Sequence, residues 1–166
     1  MRVGIGYDIH RLKKGRPLKL GGVRILSALG LDGHSDADVL LHAITDALLG
    51  AAALPDIGHY FPPSDPDIKG ISSLTMLLRA VQEIRKAGYV VGNVDTVLVT
   101  EAPKIAPYRE AMRKVIARTL GVPMTAVQVK GKTNEGLDAV GKGEAIAAHA
   151  VVLLIRSEFR VPGSGF

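Results

Sequence analysis

The chain alternates between strand-like and helix-like periods, and glycine or proline marks the changes, which limits it to a layered arrangement of strands and helices. Arg2 to His10 is an apolar, strand-like run. Pro17 to Ile25 reads as a short hairpin with Gly21-Gly22 as its turn. From Asp36 to about Ala53 the pattern is helical: Val39, Leu40, Ala43, Ala47 and Gly50 recur at helical spacings, and Leu54-Pro55 closes the element. Ser72 or Ser73 opens a second helix to Lys86, followed by Gly88 as a stop signal. Tyr89 to Thr100 is strand-like, and a helix from about Tyr108 to Leu120 ends at Gly121. Val127 to Lys130 and Glu144 to Arg156 read as further strands. Strands interleaved with helices predict a single α/β (α+β) domain, its mixed sheet covered on one face by helices. Residues 1–157 form that domain, and residues 158–166, with Pro162, Gly163 and Gly165, are expected to be a loosely ordered tail.

Composition removes several classes of function. A chain of 166 residues with 47% hydrophobic content supports one real core. There is no cysteine, so disulfides and thiolate metal sites are excluded, and a metal must be held by His and carboxylate. Tryptophan is absent and aromatics are few, which argues against a stacking platform for nucleic acid. The net charge of +5 is scattered, which suits a small phosphorylated ligand better than a duplex. No targeting segment precedes the first strand, and the longest aliphatic run, Val151 to Ile155, is too short to span a bilayer. A cytoplasmic protein with no membrane or nucleic-acid partner is the expectation.

Five groups of residues carry chemistry. Asp8 and His10, two apart on a strand, share a face. With His42, on the first helix, they would form a three-ligand cup for zinc or a similar divalent ion, with one position open. Spacing alone leaves them either ligands or polar residues of a surface strand. Asp38, His42 and Asp46 fall on one helical stripe, and Asp46 is the better-placed carboxylate for the second imidazole N–H, because Asp38 is available to the cap. Ser35 reads as the N-cap of that helix, with Asp38 in capping-box position, so His34-Ser35 precede a ready anion site at a helix start. The breaker-rich stretch Pro55 to Pro66 reads as a long functional loop. Lys130 to Gly136 follows a strand and brings together cations, a hydroxyl and a carboxylate; it lacks the first glycine of a P-loop, since Ala126 stands there. Either a phosphate site or a polar hairpin loop fits it. Glu101 to Pro107 is a proline-bracketed loop able to read a base edge with backbone groups.

These segments, in this order, resemble the 2-C-methyl-D-erythritol 2,4-cyclodiphosphate synthase family over about Met1 to Ser157. The match rests on Asp8-Ile9-His10, His34 to Asp38, Leu41 to Ala51 around His42, and Asp56-Ile57-Gly58. Phe61-Pro62 with Asp65-Pro66, Ala102-Pro103-Lys104 and Thr133-Asn134-Glu135 extend it. The resemblance implies a homotrimer assembled around the sheets, with active sites between adjacent subunits. It implies a lyase of the non-mevalonate isoprenoid pathway that makes the cyclic diphosphate and CMP from a cytidylyl substrate. Asp8, His10 and His42 would hold the first, zinc-like metal, and Asp46 would support His42. Glu135 would help hold a second, magnesium or manganese, on the diphosphate. His34 and Thr133 would stabilise the transition state. Substrate contacts would come from Asp8, Ile9, His10, His34 and Ser35, with Asp56, Ile57 and Gly58 on the sugar. Phe61, Pro62, Pro63, Ser64 and Asp65 would line the neighbouring region. Thr100, Glu101, Ala102, Pro103, Lys104, Ile105 and Ala106 would read the cytosine. Lys132, Thr133, Asn134 and Glu135 would hold the diphosphate, and Lys142 would lie at its margin.

Departures from the family pattern fall at Lys132 (commonly Thr), Pro63 (commonly Asp), Asp138-Ala139 (commonly Gly-Phe) and Lys142 (commonly Arg). The last two lie where the family has an axial cavity for isoprenoid diphosphates, and here the ring and the forked guanidinium are gone. The residues alone also admit a metal-dependent phosphohydrolase or a non-catalytic cytidine-nucleotide-binding module.

Overall fold

Gly4 and Gly6 decide how the layers stack. They alternate along β1 (Arg2–Lys14) on the face that also carries Asp8, His10 and Leu12, and α1 (Val39–Ala51) lies directly on them. A Cβ at Gly4 would collide with Ala47 O and Ala51, and one at Gly6 with Ala43 O and Ala47 N. The computed structural model describes residues 1–159.

Five strands form one mixed sheet in the order β4-β1-β7-β5-β6, where β4 is Leu29–Leu31, β5 Tyr89–Val99, β6 Val127–Lys132 and β7 Ala145–Arg156. β7 pairs antiparallel with β1, from Arg2↔Leu154 to Arg11↔Ala145, and antiparallel with β5 on its other side. β5 and β6 are parallel, as their connection through α4 (Arg109–Leu120) requires. A separate hairpin, β2 (Leu18–Leu20) with β3 (Val23–Ile25), turns at Gly21 and Gly22, both at positive φ. α3 (Ser73–Lys86) completes the helical layer with α1 and α4, and the core lies between that layer and the sheet. No helix among the described residues is long and apolar enough to cross a membrane.

The opposite sheet face is largely open. Val3, Ile5, Tyr7 and Ile9 of β1 are 42–73% exposed, and Val151 of β7 beside them is 45% exposed. Among the described residues α5 (Asp138–Gly141) reaches this face, where Val140 packs on Val97, Val99, Ala145 and Ala147.

Several boundaries differ from expectation for local reasons. β1 runs on to Lys14 because its inward alternation continues through Leu12, and β4 pairs with that extension. α1 begins at Val39, not Asp36, because Ala37 takes a left-handed conformation (φ 58°) that breaks the helix, so Asp38 becomes the N-cap in place of Ser35. The Pro55–Pro66 loop contains a helical turn, α2 (Ile57–Tyr60), capped by Asp56. Of the expected tail, Glu158 belongs to a 3-10 turn at Ser157–Phe159, and residues 160–166 lie outside the described residues.

Gly6→Ala should therefore push α1 off β1 and cost about 1–3 kcal/mol or more, as overpacking of a tight contact does. Denaturant unfolding checks this; a midpoint equal to that of the parent chain contradicts the close contact.

Candidate functional site

The approach of α1 to β1 brings His42 against Asp8 and His10. Asp8 Oδ2 lies 2.9 Å from His10 Nε2 and 2.9 Å from His42 Nδ1, and the two nitrogens are 3.2 Å apart. A tetrahedral ion with bonds of about 2.0–2.1 Å has ligand–ligand edges of roughly 3.3 Å, so the triangle is the right size for a divalent metal. Its other Asp8 oxygen accepts from Ile9 N at 2.9 Å. Burial works against ionising Asp8, but hydrogen bonds and positive charge from His10 and His42 outweigh it and hold the carboxyl well below its usual range. Burial also works against charging His10, and there Asp8, with a hydrogen bond to the Asp32 backbone, raises the pKa above its ordinary value. An ionised carboxylate facing two imidazole nitrogens is the donor set a divalent cation takes.

The far side of His42 differs from expectation. Its Nε2 lies 2.9 Å from Ser73 Oγ and 3.2 Å from Ser35 Oγ. Asp46, expected there, instead accepts from Ile57 N at 2.8 Å and so anchors α2 to α1. Burial pushes the Asp46 carboxyl up, the Ile57 N–H opposes this, and the Asp56 and Asp8 charges add to the rise. Asp38 is fully buried and accepts from Leu41 N, Gly21 N and Gly22 N, tying the β2–β3 turn to the start of α1. That carboxylate takes the Leu41 amide at the helix start. Ser73 donates its hydroxyl to Asp36 Oδ1, which also accepts from Ser73 N at 3.0 Å, while Lys19 Nζ reaches Asp36 Oδ2 at 3.2 Å. Sequence reasoning missed this connection, since Ser73 lies 31 residues from His42 and reads only as a helix start.

A second group gathers at the ends of β5 and β6. Thr100, Glu101, Pro103, Lys104, Ile105 and Ala106 face Gly131, Lys132 and Thr133 across a cleft of about 530 Å³. Asn134 N donates to Glu101 Oε1 at 2.8 Å and joins the two loops. Thr133 Oγ1 donates to Glu135 Oε1 at 2.7 Å, with Glu135 at φ 52°. Thr100 is buried and donates to Ala102 O, and the Ala102–Pro103 peptide is cis. Arg109, which sequence reasoning passed over as the start of a helix, adds a third cation to Lys104 and Lys132.

The remaining expected residues are placed as follows. His34 is exposed beside Arg11, Asp32 and Gly33, while Ser35 is buried and accepts from Ala37 N. Asp56 accepts from His59 N at 3.0 Å. Phe61, Pro62 and Asp65 are half-buried, and Pro63 and Ser64 are exposed. Lys142 is exposed and does not line the cleft. Asp138 sits at φ 59° and accepts from Val140 N, Gly141 N and Asn134 Nδ2, which gives it a local role in the loop before β7.

The cup and the cleft stand apart. Asp8, Ala148, Leu98 and Gly131 form one row across β1, β7, β5 and β6. Three strand spacings of about 4.8 Å put their backbones roughly 14 Å apart. The cup lies under α1, and Gly131 of the cleft faces Ile105 on that same side of the sheet, while Lys132 alternates onto the open face with Lys130.

Comparison with known proteins adds a family. Residues 1–155 match the YgbB family. A curated 2-C-methyl-D-erythritol 2,4-cyclodiphosphate synthase of Synechococcus elongatus is 55% identical over 155 residues, covering 93% of this chain and 97% of its own length. A solved structure of a synthase of that name in a CDP-bound form superposes with a TM-score of 0.86 at 40% identity, covering 93% of this chain and all of that one. The bifunctional IspDF of Campylobacter jejuni superposes at a TM-score of 0.90 and 38% identity; there the match covers 93% of this chain and 42% of the larger protein.

His42→Ala removes one of three donors and leaves the apolar face of α1 intact. Zinc affinity, measured by chelator competition and native mass spectrometry, should fall by more than the roughly 10–100-fold typical of losing a ligand's supporting partner, with circular dichroism unchanged. Full zinc content in the variant contradicts the cup.

Proposed function

The chain belongs to the YgbB family, and from that membership we propose that it converts 4-diphosphocytidyl-2-C-methyl-D-erythritol 2-phosphate into 2-C-methyl-D-erythritol 2,4-cyclodiphosphate and CMP. The reaction is a step of the non-mevalonate isoprenoid pathway. The observation that carries this reading is the Asp8–His10–His42 triangle, in a chain 55% identical to a curated synthase. Residues 1–157 are taken as the catalytic unit.

Asp8, His10 and His42 would hold zinc or a similar ion, and Glu135 would help hold magnesium or manganese on the diphosphate. Bound there, divalent ions neutralise the phosphates and polarise the bond that breaks. The 2-phosphate is already a nucleophile, so no side chain needs to take a proton from it. One of its oxygens attacks the β-phosphorus, and the α-phosphate leaves as CMP. Catalysis then consists of folding the substrate back on itself and neutralising charge. His34 and Thr133 donate to the developing charge, with Ser35 on the same phosphate. Asp56 to Gly58 and Phe61 to Asp65 hold the sugar and its surroundings, and Lys132 to Glu135 the diphosphate. Thr100 to Ala106 read the cytosine; that a relative is solved in a CDP-bound form supports a cytidine nucleotide as the ligand. Lys104, Arg109 and Lys132 give that cleft the positive field a diphosphate requires.

The working unit is a homotrimer with active sites between subunits. Two features support this. Val3, Ile5, Tyr7, Ile9 and Val151 form an apolar strip that a lone chain leaves in water. The cup and the cleft also stand roughly 14 Å apart in one chain, at β1 and at the ends of β5 and β6, so a neighbouring chain can bring one of each together.

Phosphorus NMR of the purified protein with the cytidylyl substrate and Mg²⁺ or Mn²⁺ should reveal CMP and a cyclic diphosphate. Linear phosphate products would indicate a phosphohydrolase, and binding without turnover a nucleotide-binding module; either outcome overturns the proposal.

A further inference from the structure

We infer that Ser73 and Asp36 are positioning residues for His42, fixing the ring tautomer that turns the Nδ1 lone pair into the metal cup. The inference rests on the reading of Asp8, His10 and His42 as metal ligands. Its basis is the proton order along a buried chain of contacts. Asp36 is a carboxylate that takes the Ser73 hydroxyl and the Ser73 N–H on one oxygen and Lys19 Nζ on the other. Lys19 at one side and the amide at the other favour its ionised form, so Asp36 accepts and does not donate. The Ser73 proton is thereby committed to Asp36, leaving the Ser73 oxygen only lone pairs to offer His42 Nε2 at 2.9 Å. A ring nitrogen facing a pure acceptor carries the proton. With a metal in the cup, His42 would therefore keep its N–H at Nε2 and turn the Nδ1 lone pair inward, where Nδ1 lies 2.9 Å from Asp8 Oδ2.

Ser73 is fully buried, so no water replaces its oxygen. Ser35 Oγ, 3.2 Å from the same nitrogen, already accepts from Ala37 N and has no carboxylate behind it to order its own proton. Four elements meet in this chain: β2 supplies Lys19, the segment before α1 supplies Asp36, α3 supplies Ser73 and α1 supplies His42. The docking of α3 is thus coupled to the basicity and orientation of one metal ligand.

The test uses zinc as the only added ligand, with two variants and two readouts. In Ser73→Ala, zinc affinity by chelator competition should fall about 10–100-fold, the range for removing the partner of a metal-bound imidazole. Asp36→Asn keeps an acceptor for Ser73 but loses the charge, and should fall less. In zinc-loaded parent protein the His42 Nε2–H should give a slowly exchanging NMR signal, which Ser73→Ala loses while thermal stability stays near the parent. That ring proton separates positioning from mere packing of α3. Unchanged affinity and an unchanged ring proton in a folded Ser73→Ala overturn the inference and leave the metal cup standing. A parent protein that binds no zinc overturns both.

Discussion

α1 lies against the bare backbone of β1, and the rest of the site depends on that contact. Gly4 and Gly6 leave no side chain between helix and sheet, so α1 sits as close as main-chain atoms allow. Two residues further along the same face, the side chains resume as Asp8 and His10. His42, on the first turns of α1, is thereby delivered to within hydrogen-bond distance of both. Glycine in a strand is ordinarily a weakness. Here the loss of local propensity is offset by a helix–sheet contact that brings three metal donors together from positions 8, 10 and 42.

Electrostatics then divide the molecule. Under α1, two imidazoles hold a carboxylate ionised and complete a donor set suited to a cation. At the ends of β5 and β6, Lys104, Arg109 and Lys132 surround a cleft that suits phosphate. In one chain these halves are separated along the sheet, the cup at β1 and the cleft beyond β7 at the ends of β5 and β6. The proposed trimer resolves both problems at once: it covers the apolar strip of β1 and sets the cup of one subunit against the cleft of its neighbour.

Much of this was legible in the sequence, and what was missed has physical causes. The period-two pair Asp8/His10 put two donors on one face, because periodicity reports which face a side chain shares, but spacing left open whether His42 joins them, and the resemblance supplied that. The strand and helix succession gave a mixed sheet with helices on one face. Ser35 looked like an N-cap by residue type, yet the left-handed Ala37 moves the helix start to Asp38, a conformation no propensity favours for alanine. Asp46 looked like the partner of His42 by spacing, but α2 claims it. Ser73 and Asp36 were invisible as partners of His42 because their relation is tertiary, created where α3 docks on the segment before α1. β4 carries no signal of its own in the sequence, because its pairing depends on β1 extending past β7.

The central claim is that one subunit's cup works with another's cleft, and subunit mixing tests it most directly. One variant carries His42→Ala and the other Thr133→Ala with Lys132→Ala; each alone should be nearly inactive. Mixed trimers formed by co-refolding at equal amounts should recover about a quarter of parental activity, since one interface in four then pairs an intact cup with an intact cleft. Activity no greater than the sum of the two separate variants would contradict a shared site.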